Sequence, residues 1–377
     1  MFVSRLELHQ FRNYAEAQVR LEPGVTIFQG ANGQGKTNLV EAVEYLSRLG
    51  SHRVSSDSPL VKAGCEQAVV RAEVVAGRDD PRMLLLELEI NPGRSNRARI
   101  NRAVLPRSAD LLGALRTVVF SPEDLSVVKG DPAARRGFLD DLVISRWPRM
   151  LGVKQDYDKV LRQRNALLKS LLGTRIDDEA EFTLQVWDTQ LVGLGSELLA
   201  ARLDTLAEVL EPTRAAYAAI APVNNQANAV YRCGFELPTD AAELPAAYSA
   251  ALTQRRREEF ARGLTLVGPH RDDLLLSIGD LPAKGYASHG ESWSLALAMR
   301  LGAFDLLRAD GIEAVLILDD VFAELDATRR ERLALAARDA EQVLVTAAVA
   351  ADVPQLLSGT RFEVHAGQIT PPEVADE

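Results

Sequence analysis

Val25-Thr26-Ile27-Phe28-Gln29-Gly30-Ala31-Asn32-Gly33-Gln34-Gly35-Lys36-Thr37 is a short apolar run that enters a glycine-rich turn. Its last eight residues match the pattern G-x-x-x-x-G-K-S/T. From Thr37 the apolar residues Leu39, Val40, Val43, Leu46 and Leu49 fall at helical spacing, and Gly50 follows as the expected stop. A strand, a loop and a helix in that order give the glycines a physical purpose. They let the backbone of Gly30, Ala31, Asn32, Gly33, Gln34 and Gly35 wrap inward, so that its amides point at phosphate oxygens in front of a helix N-terminus. Lys36 adds a point charge at the β- and γ-phosphates, and the Thr37 hydroxyl is placed to ligate Mg²⁺. A glycine turn that merely caps a helix is outweighed by the complete match in its strand-and-helix setting. The expected ligand is ATP.

A second stretch answers the first. Val315-Leu316-Ile317-Leu318-Asp319-Asp320 is an apolar strand that ends in acid, which places carboxylates at the carboxyl edge of a sheet, where nucleotide sites of open α/β folds lie. Asp319 is expected to hold Mg²⁺ with Thr37, and Asp320 to orient or deprotonate the attacking water. Lys36, Asp319 and Asp320 are therefore the candidate catalytic residues. Upstream, Ser288-His289-Gly290-Glu291-Ser292 opens the helix predicted from Glu291 to Leu307, where small residues again make an anion site. Taken alone that pattern is a plain helix cap. In this position it resembles the signature motif of ABC-type ATPases, with Ser288 and Gly290 as nucleotide contacts. Ala323-Glu324-Leu325-Asp326 then looks like their D-loop, and Thr346-Ala347 stands at their switch position.

Working outward, strands are predicted at Val3–Leu8, Gln67–Val75, Met83–Ile90 and Thr117–Phe120, then again at Leu264–Val267, Leu274–Ile278, Val343–Val345 and Phe362–Val364. Between them, residues 132–262 read as helical. Val153, Tyr157, Val160, Leu167 and Leu171 form one stripe, which Arg164 interrupts. Leu184, Trp187, Leu191, Leu194 and Leu198 form a second, on a helix that Pro212 is expected to stop at Glu211. Gly173-Thr174 and the acidic stretch Asp177–Glu179 separate the two, so a short antiparallel helical arm or a compact helical lobe is expected. The division reads as 1–122 for the N-terminal part of a head with the phosphate loop, 123–262 for a helical insertion lobe, and 263–377 for the C-terminal part with the signature, acidic strand and D-loop.

The net charge of −10 and the pI near 5.2 argue against a surface that coats nucleic acid throughout, but leave room for a local basic groove. No long apolar run suggests a membrane span, and the N-terminus lacks the pattern of a signal peptide. Cys65 and Cys233 stand far apart with no histidine at metal-ligand spacing, so reduced thiols in a cytoplasmic protein are expected.

Several blocks then make the likeness specific. Leu8-His9-Gln10-Phe11-Arg12-Asn13-Tyr14, Ser121-Pro122-Glu123-Asp124-Leu125, Val128-Lys129-Gly130-Asp131-Pro132 and Arg135-Arg136-Gly137-Phe138-Leu139-Asp140 follow one another in the chain. Gly268-Pro269-His270-Arg271-Asp272-Asp273 and Leu318-Asp319-Asp320-Val321 continue the series. Together they resemble the RecF branch of the SMC-like, ABC-type ATPases, in that family's order and over nearly the whole chain. The resemblance implies an α/β fold: an ABC-type P-loop head with a mixed sheet, a helical lobe inserted and no long coiled coil. It implies a homodimer formed on ATP binding, with Ser288 and Gly290 of one subunit closing over ATP held by Gly30–Thr37 of the other. It further implies binding to single-stranded and gapped duplex DNA, RecR and RecO as protein partners, help in loading RecA, and support of the SOS response. Arg12 and Asn13 match positions that approach the nucleotide in that family. Two departures from ABC ATPases in general bear on rate. The switch position has no histidine, and Asp320 is one methylene shorter than the usual glutamate, so weak, DNA-dependent hydrolysis that acts as a switch is expected.

For DNA, Arg94, Arg97, Arg99, Arg102 and Arg107 lie in a stretch with no acid from Asn91 through Ser108, and on a strand Arg97 and Arg99 face the same side. Arg255-Arg256-Arg257 is a weaker candidate, since Glu258-Glu259 follows it directly. Two other function classes compete: the nucleotide-binding subunit of a membrane transporter, and a P-loop kinase with a small acceptor. The first leaves the helical insertion without a purpose, and the second leaves the signature serine and D-loop without one.

Overall fold

The computed structural model describes residues 1–173, 177–221, 224 and 226–371, so Thr174, read above as part of a helix break, lies outside the described residues. In chain order the first part gives β1 (Phe2–Phe11), β2 (Tyr14–Arg20), β3 (Gly24–Gln29), α1 (Lys36–Arg48), β4 (Ala68–Gly77), β5 (Asp80–Ile90), β6 (Arg97–Ile100), β7 (Ala103–Val104) and β8 (Thr117–Phe120). The middle gives α2 (Leu125–Lys129), α3 (Pro132–Arg146), α4 (Met150–Ser170), α5 (Asp178–Ile220), β9 (Ala227–Arg232), α6 (Leu244–Arg262), β10 (Asp273–Ile278), β11 (Leu281–Pro282) and α7 (Ala283–Tyr286). The last part gives α8 (His289–Ala309), β12 (Val315–Asp319), α9 (Ala327–Arg338), β13 (Gln342–Ala347), β14 (Thr360–His365) and β15 (Gln368–Thr370).

The chain divides into two units. Met1–Leu125, Pro212–Gln226 and Ala287–Glu377 make the first, and Ser126–Glu211 with Ala227–Tyr286 makes the second. Residues 263–286 thus group with the second unit and not with the C-terminal part of the head.

The first unit holds two six-stranded sheets, and α1 packs on strands of both. One sheet has the order β15-β14-β3-β13-β12-β8 and is parallel except at the β15 edge. Its central strands show no apolar–polar alternation: Val315, Leu316, Ile317 and Leu318 are all buried, as expected of a parallel strand covered on both faces. The other sheet, β2-β1-β4-β5-β6-β7, is antiparallel and does alternate. Ala68, Val70, Ala72 and Val74 of β4 point into the core, while its other face carries charge.

That outer face is a charge ladder. Glu7, Arg71, Glu87 and Arg99 stand opposite one another across β1, β4, β5 and β6, and Glu89 stands opposite Arg97 in the neighbouring row. Glu87 binds both Arg71 and Arg99, and Arg97 reaches Glu89 at 3.7 Å.

Helix α1 is buried at ten of its thirteen positions, among them the charged Lys36, Glu41 and Glu44. Leu49, and not Gly50, takes the left-handed turn that ends it, with φ of 54°. Strands β2, β6, β7, β9, β11 and β15 were not foreseen, β9 lying inside the stretch 132–262 read as helical; all are edge or near-edge strands, short or with polar outer residues that hide the apolar signal.

In the second unit α3, α4, α5 and α6 surround a core that includes Tyr157, Leu191, Tyr248 and Val267. Arg164 does not interrupt the stripe of α4; it lies within it. It is fully buried, bonded to Asp188 Oδ1 at 2.7 Å, Glu259 Oε2 at 2.6 Å and Thr265 Oγ1 at 2.7 Å. The expected strand at 264–267 is absent, because side chains satisfy its backbone instead. Thr265 N donates to Asn165 Oδ1 at 2.7 Å and Leu266 N to Glu259 Oε1 at 2.9 Å. The run Gly268–Asp273 has a structural role here. Pro269 O and the Asp140 carboxylate receive the buried Arg202 guanidinium, Asp272 accepts from Tyr231 OH at 2.9 Å, and Asp273 takes both ends of Arg135.

Pro212 does not stop α5, which continues to Ile220. Proline removes one ladder hydrogen bond, yet the turns beyond it remain helical because Thr213, Tyr217 and Ile220 are buried. Thr213 packs on α8 at Gly302, where a Cβ would lie 2.4 Å from Thr213 Oγ1, so only glycine permits the approach.

Candidate nucleotide site

The phosphate loop runs from the end of β3 into α1, with Ala31, Asn32 and Gly33 exposed at its crest and Gly35 and Lys36 buried at its base. Gly30 has φ of 150°, and a Cβ there would fall 2.2 Å from the Val364 carbonyl oxygen of β14, so no other residue fits without moving the sheet. The loop is pinned from both sides. Asn13 Nδ2 and Gly367 N donate to Gln34 O at 3.1 and 3.2 Å, Ala366 N donates to Gln34 Oε1 at 2.7 Å, and Tyr14 OH donates to Gly35 O at 3.1 Å. Lys36 Nζ lies along the loop, bonded to Gly30 O at 2.8 Å and Ala31 O at 3.1 Å, which places a positive charge beside the exposed amides.

Asp319 ends β12 and is buried against this loop. Thr37 Oγ1 donates to Asp319 Oδ1 at 2.9 Å, and Thr346 Oγ1 donates to the same oxygen at 2.6 Å. Burial works against its charge, but His52, Thr346 and Thr37 around it hold the carboxyl below the usual range. Asp320, the next residue, has φ of 49°, a left-handed conformation that non-glycine residues adopt at a cost. Burial and then the neighbouring Asp319 charge push its carboxyl up, while Lys36 pulls it down. Two carboxylates in adjacent positions are thus shifted in opposite directions, Asp319 held down by its bonded neighbours and Asp320 made more basic by burial.

The hydroxyl of Thr37 and the Asp319 carboxylate are hard oxygen donors already in contact, as Mg²⁺ bound mainly through phosphates and water requires. Among the described residues no group of three or more His, Cys, Asp or Glu is placed to hold a metal ion.

Ser288 is the N-cap of α8. Its Oγ accepts from Glu291 N at 3.2 Å, and Ser288 N donates to Glu291 Oε2 at 2.9 Å, a reciprocal capping box. Ser288 is exposed, and no described hydrogen bond joins it or Gly290 to Gly30–Thr37. Asp326 caps α9 and binds Arg329, whose Nε donates to Ser294 Oγ at 2.7 Å and whose guanidinium lies beside Gly290. The signature and D-loop positions are therefore joined to each other.

Arg12 turns inward, where Nε and Nη2 bind the buried Glu41 at 2.8 and 2.5 Å and Nη1 donates to Pro59 O at 2.9 Å. Asn13 lies on the loop itself and accepts from Asn38 Nδ2 at 2.7 Å. Of the arginine stripe, Arg97 and Arg99 belong to the charge ladder and Arg107 pairs with Asp110 at 2.9 Å, whereas Arg94 and Arg102 stand exposed in turns flanking β6. Arg255 pairs with Glu258 and Arg256 with Asp188.

His52 was not foreseen. It sits between Glu44 Oε2, 2.5 Å from Nδ1, and Asp319 Oδ2, 3.6 Å from Nε2, an ion-pair distance and not a hydrogen bond. Burial alone would depress this imidazole, but its carboxylate neighbours raise it to about 10. Its signal in the sequence was faint: Glu41 and Glu44 fall on the apolar face of α1, and Ser51-His52-Arg53 follows at once to satisfy them.

The phosphate loop at β3–α1, the acid at the end of β12 beyond β13 in the same parallel sheet, and the serine-capped helix before it define an ABC-type ATPase head. The comparisons narrow this class. The model of the RecF/RecN/SMC N terminal domain matches residues 2–358. "DNA replication and repair protein RecF" of Cutibacterium acnes is 60% identical with 98% of both chains covered, and that of Streptomyces avermitilis is 55% identical with 98% of this chain and 99% of the relative covered. Among solved structures, one titled as the recombination mediator protein RecF with ATP in the RecFOR pathway superposes with a TM-score of 0.87 at 26% identity, covering 98% of this chain and 97% of that one. An Smc head domain from Pyrococcus furiosus shares the fold at a TM-score of 0.55 and 17% identity, with 98% of this chain and 95% of that one covered. The chain belongs to the RecF/RecN/SMC family and, within it, to the RecF branch.

Proposed function

We propose that this chain is an ATP-dependent DNA-binding protein of the RecF type, acting in DNA replication and in recombinational repair of single-strand gaps. ATP closes a homodimer on DNA, slow hydrolysis releases it, and RecR and RecO join it in loading RecA and supporting the SOS response. The relatives are named for DNA replication and repair, and the closely superposing structures for a recombination mediator with ATP in the RecFOR pathway. Among the described residues no helix is long and apolar enough to cross a membrane.

The observation that carries the proposal is the split between the two halves of the nucleotide site. Gly30–Thr37 and Asp319 are assembled, whereas among the described hydrogen bonds the exposed Ser288 is bonded within its own helix, and the half-buried Gly290 lies beside the Arg329 guanidinium. The positive end of the α8 dipole at this exposed N-terminus favours a second copy's γ-phosphate. In the closed dimer, Gly30–Gly35 amides and Lys36 would grip the phosphates, and Ser288 and Gly290 of the partner would cover them. Thr37 and Asp319 would hold Mg²⁺, whose charge would offset that developing on the phosphates. Asp320, whose carboxylate is made more basic by burial and by the neighbouring Asp319 charge, would accept the proton of the attacking water. Its short reach and the missing switch histidine support slow turnover.

The charge ladder narrows where DNA is met. Arg97 and Arg99 spend their charge on Glu89 and Glu87, so Arg94 and Arg102 are the members of the stripe proposed to meet phosphate. Steady-state hydrolysis with and without gapped duplex DNA tests the whole reading. Turnover below about one per second, raised by DNA, is expected. Faster turnover, or a rate indifferent to DNA, overturns it.

A further inference from the structure

Thr346 stands at the position where a switch histidine was sought and not found, and its side chain makes two bonds of opposite sense. It is fully buried at the carboxyl end of β13, in register with Asp319 on β12. Its hydroxyl donates to Asp319 Oδ1 at 2.6 Å and accepts from Asp320 N at 2.9 Å. A hydroxyl has one proton, so the two bonds fix each other: donation to the carboxylate leaves only the lone pairs for the amide. Asp320 needs that support, because its backbone is held at φ of 49°.

The geometry points to Thr346 as a positioning residue for hydrolysis: one buried hydroxyl holds the metal-binding carboxylate of Asp319 and the left-handed backbone of Asp320 in a single arrangement. The inference rests on the ATPase reading above and deepens it. Thr346 touches neither the phosphate loop nor Lys36 among the described hydrogen bonds, so its effect falls on the chemical step and not on nucleotide capture. The plain alternative is that Thr346 only fills space in a buried strand, where a β-branched shape packs well.

Substitution separates the two. Thr346→Val keeps the shape and deletes the hydroxyl; Thr346→Ser keeps the hydroxyl and deletes the methyl. Hydrogen bonds to charged groups are the stronger kind, so the valine variant is expected to lose about 10- to 100-fold in kcat, with KM for ATP within about threefold of wild type. The serine variant is expected to retain kcat within about threefold. Thr346→Ala, also without a hydroxyl, replaces the valine variant if that chain does not fold, and is expected to show the same kcat loss. A valine variant with wild-type kcat, or a serine variant as slow as the valine one, overturns the inference. A wild-type chain that binds ATP and does not hydrolyse it refutes the underlying ATPase reading, and that result needs no variant.

Discussion

Replacing Arg164 by methionine should destabilise the second unit strongly. Arg164 is fully buried and binds two carboxylates and a hydroxyl, at 2.6 to 2.7 Å. Asp188 would keep Arg256 at 2.5 Å, but Glu259, also fully buried, would keep only the Leu266 amide at 2.9 Å. Methionine fills most of the volume, so the cavity contribution is small and the cost is that of a buried charge left without its partner, about 3–5 kcal/mol. For a unit of this size that corresponds to a fall in melting temperature of roughly 10 °C. Urea unfolding followed by tryptophan fluorescence in a Trp293→Phe background reads the second unit, since Trp147 and Trp187 both lie in it. The sign of a second change is the sharper test. Adding Glu259→Gln removes the stranded charge, so the double variant should be more stable than Arg164→Met alone. A single variant within 1 kcal/mol of wild type, or a double variant less stable than the single, would refute the account.

His270 makes a second pH-dependent prediction. Burial pulls its imidazole down to about 4, against the ordinary 6.5, despite its bond to Thr265 O. A depressed pKa means the folded chain holds it neutral while the unfolded chain takes a proton, so its stabilisation is present above pH 6.5 and lost as pH falls toward 4. About 2–3 kcal/mol is at stake, and a melting curve that is flat over that window would contradict it. Gly30→Ala forces a Cβ to 2.2 Å from Val364 O, and at least a tenfold loss of affinity for a fluorescent ATP analogue is expected; unchanged binding would mean the loop is not held as described. Arg94→Glu with Arg102→Glu should lower DNA affinity and flatten its salt slope by about two, at close to one per phosphate contact. Neutralising Arg97 and Arg99 should do less, and an equal effect of the two pairs would move the contact onto the sheet face.

The fold was legible where a single local rule decides the structure. A glycine-rich loop between strand and helix, and an apolar strand ending in acid, have few other meanings, and Gly30–Thr37 and Asp319 meet as their pattern implies. What stayed hidden depends on partners distant in sequence. Arg164 read as a flaw in a helical stripe because Glu259, 95 residues on, gave no sign that it would be buried too. Pro212 read as a stop because local geometry favours one, and the packing of Thr213 on Gly302 decides otherwise. Arg97 and Arg99 read as free charge because the glutamates that pair with them stand on the neighbouring strand. His52 and Thr346 carry the same lesson at the site: each is a common residue whose role appears only beside Asp319.

The central claim is that Gly30–Thr37 is half of a site completed by a second copy. Mass measured by light scattering, with and without Mg²⁺-ATP, tests it most directly on wild type, Lys36→Met and Ser288→Arg. The account predicts a wild-type dimer only with ATP, a Lys36→Met chain that stays monomeric because it does not hold the nucleotide, and a Ser288→Arg chain that binds ATP yet stays monomeric. A wild-type chain that remains a monomer with saturating ATP, or a Ser288→Arg chain that dimerises as wild type does, would contradict it.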